Sequence, residues 1–113
     1  MDCIFCKIAG GEVPSDILHQ DDRVIVIRDI NPQAPVHLLI MPREHIGSLR
    51  DITDANASLM GHMVLVANQM AEREGVAEKG YRLAINCGDE GGQTVGHLHA
   101  HLLGGRQLSG RLG

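Results

Sequence analysis

From residue 97 to 102 the chain reads His97-Leu98-His99-Ala100-His101-Leu102, a histidine at every second position among apolar residues. This two-residue period predicts an extended strand, because alternate side chains on a strand face the same way. The three imidazoles then line one face, roughly 6.5–7 Å apart, while the leucines and the alanine face the other. An ordinary core has little use for such a row, since each ring brings a donor and an acceptor that need partners. The pattern predicts a site, and both a metal centre and a catalytic centre fit it.

The rest of the chain supplies a frame for that strand. Residues 3–9 are mostly apolar and end at Gly10-Gly11, which predicts a short helix with a glycine stop. Residues 17–20 and 24–28 read as strands of a hairpin about the polar turn Asp21-Asp22-Arg23. Asn31-Pro32-Gln33-Ala34-Pro35 is an extended loop, because each proline keeps its predecessor out of helical geometry. Residues 36–41 form a third strand that stops at Pro42. Thr53 is a suitable N-cap for a long helix in which Leu59, Met63, Val66 and Met70 recur at helical spacing, with Met60, Val64 and Ala67 beside them. That helix runs to about Glu74 and is closed by Gly75. Residues 81–86 form a fourth strand, 87–93 a glycine-rich loop, and 94–103 a fifth strand ended by Gly104-Gly105. The last eight residues are expected to be loosely ordered. The expected fold is α+β: a five-stranded antiparallel sheet with one long helix packed across it and a short N-terminal helix, a single domain over residues 1–113.

Composition narrows the function classes. A chain of 113 residues buries only about two-thirds of its unfolded surface, so a homodimer covering a sheet edge would be a useful supplement. The net charge is −4, there is no run of Lys or Arg, and Phe5 and Tyr81 are the only aromatic residues. That excludes a basic, aromatic-lined nucleic-acid surface, and leaves a single small molecule as the kind of nucleotide such a chain would hold. No apolar stretch approaches the ~20 residues of a membrane span, and Met1-Asp2-Cys3-Ile4-Phe5 is not a secretion signal. Three cysteines make an odd count, which points to a reducing cytoplasm.

Gly88-Asp89-Glu90-Gly91-Gly92-Gln93-Thr94 lies just upstream of the histidine row. Its glycines allow backbone N–H groups to turn toward an anion, and Gln93 and Thr94 add side-chain donors. Donors facing imidazoles suit a bound phosphate, which favours catalysis over a metal at the row. The segment Gly91-Gly92-Gln93-Thr94-Val95-Gly96-His97-Leu98-His99-Ala100-His101-Leu102-Leu103 resembles the motif of the histidine triad superfamily. Ile4-Phe5-Cys6-Lys7-Ile8, Asp29 to His37, Gly80-Tyr81-Arg82 and Gly104-Gly105-Arg106 resemble its HINT branch. A Leu-Pro-Arg type ending would mark the polyphosphate-hydrolase branch, and a glutamine in place of His101 the nucleotidyltransferase branch.

The resemblance implies a hydrolase that cleaves the P–N bond of purine nucleoside 5′-phosphoramidates. His99 would be the nucleophile; an imidazole with an ordinary pKa of about 6.5 is available in neutral form near pH 7. His101, with Gly92, Gln93 and Thr94, would stabilise charge on the phosphoryl oxygens. Asp29 would accept from the ribose, Asn86 would contact the sugar–phosphate region, and His37 would support the triad from behind. Ile4, Phe5, Ile8, Ile27 and Ile30 would line an apolar slot for the purine. Each of these has a plainer role available: core packing for Ile4, Phe5 and Ile27, a loop cap for Asp29, a local hydrogen bond for His37. Cleavage of dinucleoside polyphosphates, or a nucleotide-binding interaction protein with incidental hydrolysis, remain as alternatives. The implied assembly is a homodimer joined through the long helix and the fourth strand. The tail from Arg106 onward departs from the family pattern and carries no aromatic residue.

Cys3-Ile4-Phe5-Cys6 is a C-x-x-C with three readings: a redox pair, two incidental apolar cysteines, or half of a zinc site. The resemblance implies zinc held by Cys3, Cys6, His45 and His97, structural and not required for catalysis. Cys87, His19 and His62 are expected to carry no chemistry.

Overall fold

The computed structural model describes residues 3–113; Met1 and Asp2, the first two residues of the N-terminal segment that lacks the pattern of a secretion signal, lie outside the described residues. The elements are α1 (Ile4–Ala9), β1 (Ile17–Gln20), β2 (Val24–Arg28), β3 (Val36–Pro42), α2 (Ala57–Arg73), β4 (Tyr81–Ile85) and β5 (Ala100–Gly104). The strands form one antiparallel sheet in the order β1-β2-β3-β5-β4. The chain therefore has the α+β architecture expected of it.

β3 is the central strand, and both of its faces are covered. Leu38 and Ile40 join Val24, Val26 and Leu102 under α2, while Leu39 and Met41 join Ile25, Ile27, Phe5 and Ile8 on the α1 side. Double coverage explains why β2 and β3 read as continuous apolar runs and not as alternating ones. α2 buries Leu59, Met63, Val66, Ala67, Met70 and Ala71. Val64, placed beside this stripe by the sequence, is 45% exposed. Five residues beyond Leu59 it has turned about 140° away from it.

Two boundaries differ from expectation. Thr53 caps a 3-10 turn, Asp54–Asn56, by accepting from the Ala55 N–H, and α2 begins only at Ala57. The fifth strand is shorter than the span 94–103: β5 pairs with its neighbours only from Ala100 onward. The reason lies at the end of β3. Pro42 has no N–H to extend the ladder, and the Leu98 N–H instead reaches the Ile46 carbonyl at 2.6 Å. The alternation survives without pairing, since Leu98, Ala100 and Leu102 all enter the core under α2. At the far end of β5, Gly104 is required: a Cβ there would lie 2.9 Å from that of Val76.

The β1–β2 turn is organised by one carboxylate. Asp21 Oδ1 accepts from the Arg23 and Val24 N–H groups, and Oδ2 from His19 Nε2 and His62 Nε2, each at 2.8 Å. His62 belongs to α2, so this carboxylate fastens the hairpin to the helix. The two histidines expected to be idle thus have a structural task. Burial alone would raise the Asp21 pKa, but the hydrogen bonds from His19, Arg23, His62 and Val24 together outweigh it and hold the carboxyl well below the usual range. A depressed folded pKa contributes stability above the unfolded value of about 3.9, and that stability is lost as pH falls through the folded value. Asp21→Asn is expected to lower unfolding free energy at pH 7 by about 1–3 kcal/mol. Denaturant melts should show the gap between variant and wild type closing below about pH 3.

Candidate active site

The histidines face α1. Phe5 packs edge-on against His97 and His99, with ring centroids 5.8 and 5.2 Å apart, and the His99 and His101 rings are 5.1 Å apart. His97 and His99 are buried and His101 is half-buried. Each ring's neighbours decide which nitrogen holds its proton, because a carbonyl only accepts and a backbone N–H only donates. His99 Nδ1 lies 2.7 Å from the His97 carbonyl, so Nδ1 carries the hydrogen and Nε2 keeps a lone pair. His97 Nε2 lies 2.8 Å from the Pro42 carbonyl, so here Nδ1 is the bare nitrogen. His99 Nε2 has no hydrogen-bond partner among the described residues, and no unpartnered side-chain nitrogen is buried, so it opens to solvent.

A second chain of hydrogen bonds ends at His101. The Gln33 N–H donates to His37 Nδ1 at 3.0 Å, which leaves the His37 proton on Nε2. That N–H donates to His101 Nδ1 at 2.9 Å, and the neutral His101 therefore carries its own hydrogen on Nε2. Asp29 Oδ2 stands 3.3 Å from the same His37 nitrogen, and Asp29 Oδ1 accepts from the Asn31 N–H. Asp29, His37 and His101 are close enough to invite a metal. Yet an ion on His37 Nε2 would require an imidazolate, since Nδ1 already accepts from Gln33. This trio is a hydrogen-bond relay. Burial is the largest cause lowering the pKa of His37, His97 and His101, so these rings favour their neutral forms.

Four other residues fit a metal. The donor atoms of Cys3, Cys6, His45 and His97 all lie within 4.8 Å of one another. His97 Nδ1 is 3.3 Å from Cys3 Sγ and 3.6 Å from Cys6 Sγ, and His45 Nδ1 is 3.3 Å from Cys6 Sγ. A tetrahedral zinc site with its usual bond lengths has N···S edges of about 3.6 Å. The bare His97 Nδ1 is already the ligand form, and the Pro42 carbonyl supplies the outer hydrogen bond that orients a ligating ring. Burial, followed by the hydrogen bond and charge of Cys3, raises the Cys6 thiol pKa, so an ion would have to displace protons to bind.

The glycine-rich loop is more closed than the sequence suggested. Gly92 N–H donates to the Asp89 carbonyl, Gln93 N–H to the Gly88 carbonyl, and Gly88 N–H to Gln93 Oε1. Gln93 Nε2 is shared between the Gly47 and Val95 carbonyls. Gln93 is thus a brace, and its amide does not join the expected nest of donors. Thr94 is exposed beside it, and the Asn86 amide lies 4.0 Å from where a Gly92 Cβ would be. Of the expected purine slot, Phe5, Ile8 and Ile27 are buried, whereas Ile4 is 43% and Ile30 98% exposed. The Asp29–Asn31 turn carries Ile30 outward. Sequence reasoning missed the Gln33 N–H and the Pro42 carbonyl, because a main-chain group has no signature in residue identity.

Comparison with known proteins agrees with this geometry. A family profile described as "Scavenger mRNA decapping enzyme C-term binding" matches residues 2–112. A purine nucleoside phosphoramidase of Escherichia coli (strain K12) is 51% identical over 105 residues, covering 93% of this chain and 88% of that one. The crystal structure of a HIT family hydrolase from Legionella pneumophila superposes with a TM-score of 0.97 at 46% identity, covering 99% of this chain and 100% of that chain. A HIT family hydrolase from Clostridium thermocellum gives 0.96 at 52% identity, covering 98% and 96%.

The chain belongs to the histidine triad family. The rings of His37, His97 and His99 are therefore placed by main-chain groups of the Asn31–Pro35 loop, of β3 and of the row itself, and that of His101 by His37. The relay should be visible in solution. In a proton-coupled NMR titration, His37 and His101 are expected to titrate below the ordinary imidazole value of 6.5. The unfolded chain then takes up protons first, so these two rings subtract stability as pH falls below 6.5. Asp29 raises both values, so Asp29→Asn should move both further down; an upward move would contradict the relay.

Proposed function

We propose that this hydrolase of the histidine triad family cleaves the P–N bond of purine nucleoside 5′-phosphoramidates through a nucleotidylated His99. The observation that carries the reading is the solvent-open lone pair on His99 Nε2, created by the Nδ1–H bond to the His97 carbonyl. A nitrogen so placed can form a bond to phosphorus as the P–N bond to the amine breaks. The departing amine takes the proton it needs from solvent water, while the His101 Nε2–H, oriented by the His37 N–H on Nδ1, donates a hydrogen bond to the phosphoryl oxygens. Water then attacks the phosphorus and loses its proton to solvent, the P–Nε2 bond of His99 breaks, and the nucleoside monophosphate leaves. The E. coli relative bears the name of this activity.

Around the reacting atoms, Thr94 supplies donors for the phosphoryl oxygens, Gly92, whose N–H is held by Asp89, gives the loop its left-handed turn, and Gln93 holds that loop in place. Asn86 beside Gly92 meets the sugar–phosphate, and Asp29 accepts from the ribose. Phe5, Ile8 and Ile27 form the floor of the purine slot, to which Ile4 and Ile30 add exposed apolar surface. We further propose zinc as the ion for Cys3, Cys6, His45 and His97, on the strength of their near-tetrahedral spacing. Zinc there would tie α1 to the sheet and stand outside the chemistry. A homodimer is supported by β4, an edge strand, and by Val64 and Leu65 exposed on α2. Among the described residues no helix is long and apolar enough to cross a membrane.

The test is turnover of an adenosine 5′-phosphoramidate with an amine leaving group, compared between wild type and His99→Ala. Wild type should release AMP, and the variant should be slower by about three orders of magnitude or more while still binding AMP. Equal rates, or no turnover by either protein, would overturn the reading. Faster wild-type turnover of a diadenosine polyphosphate would move the substrate class to that alternative.

A further inference from the structure

We infer that His97 couples two binding events, so that the ion held by Cys3, Cys6, His45 and His97 and the nucleotide held at His99 each tighten the binding of the other. The inference rests on the metal fit and on the nucleotide reading above. His97 is fully buried and anchored on several sides at once. Its ring N–H is on the Pro42 carbonyl, and its bare nitrogen faces both thiols. Its own carbonyl holds the His99 Nδ1–H at 2.7 Å. The next residue, Leu98, donates to the carbonyl of Ile46, the residue after His45. A buried ring cannot turn without carrying its main chain along, because close packing leaves it no room. Whatever fixes the His97 ring therefore fixes the carbonyl that orients His99.

A second connection runs through α1. The two cysteines enclose Ile4 and Phe5, which are residues of the proposed purine slot, and Phe5 packs edge-on against both His97 and His99. α1 is only six residues long, too short to be stable by itself, and its N-cap is Cys3. An ion that clamps Cys3 and Cys6 selects the folded turn that presents Phe5 to the site. Ion and nucleotide thus favour the same arrangement of the same residues, which is the condition for positive coupling.

Linkage makes the prediction reciprocal: the factor by which one ligand tightens the other must be the same in both directions. Zinc affinity is measured by competition with a chromogenic chelator, with and without saturating AMP. AMP affinity is measured by calorimetry on zinc-loaded and chelator-stripped protein. We expect each ligand to tighten the other by about five-fold or more, with equal factors. His45→Ala lacks one ligand but leaves the bonds of His97 to Pro42 and His99 in place, so its AMP affinity should no longer respond to zinc. Unchanged affinities in both directions overturn the coupling, even if zinc raises the melting temperature, because a merely structural ion would do only that. Failure of zinc to bind overturns the metal fit and the coupling with it. Failure of AMP to bind both forms overturns the nucleotide reading and the coupling, and the two failures are told apart because each titration follows one ligand.

Discussion

The 2.7 Å hydrogen bond from His99 Nδ1 to the His97 carbonyl is the contact on which the rest of the site depends. A carbonyl cannot donate, so this one bond puts the lone pair of His99 on Nε2, where it meets solvent. The bond forms where the chain bends at His97 before joining the ladder at Ala100, and the Leu98 N–H on Ile46 and the His97 ring on Pro42 hold it there. Pro42 is the last residue of β3, the strand buried on both faces, and Ile46 follows four residues later. The start of the same strand carries His37. The central strand, covered on both faces, therefore holds both ends of the histidine array, a placement suited to geometry that must be kept within a fraction of an ångström.

Main-chain groups, and not charged side chains, set the proton positions. Gln33 N–H, Pro42 C=O and His97 C=O each specify one tautomer, and burial lowers the pKa of His37, His97 and His101. The result, where the rings are neutral, is one bare nitrogen and one N–H donor on adjacent rings, His99 Nε2 and His101 Nε2. Those are the two groups that the proposed displacement at phosphorus requires. Among the described residues Asp29 is the one carboxylate that reaches this chain of rings, and its distance of 3.3 Å from His37 makes it the weaker of that nitrogen's two contacts.

Much of this was legible in the sequence, for identifiable reasons. The apolar runs of β2 and β3, the helical spacing of Leu59, Met63, Val66 and Met70, and the glycine stops are local signals, and the elements they predicted are present. The alternation at 97–102 correctly separated ring face from core face. What could not be read depends on contacts between distant segments. β5 was overextended because its lower half loses partners where β3 meets Pro42, a fact of another strand. Gln93 looked like a phosphate donor because its carbonyl partners at Gly47 and Val95 are invisible to composition. His19 and His62 looked idle because Asp21 joins them only after α2 has packed on the hairpin.

The central claim is that the backbone assigns the tautomers, and nitrogen NMR of the uniformly labelled protein tests it most directly. Long-range correlations between ring carbon-bound protons and both ring nitrogens distinguish a protonated from a bare nitrogen in each imidazole. The account predicts that, where the rings are neutral, His99 is the Nδ1–H form while His37, His97 and His101 are Nε2–H forms. A His99 that carries its proton on Nε2 would contradict it, because the lone pair would then face the His97 carbonyl and no nitrogen would be left to attack phosphorus.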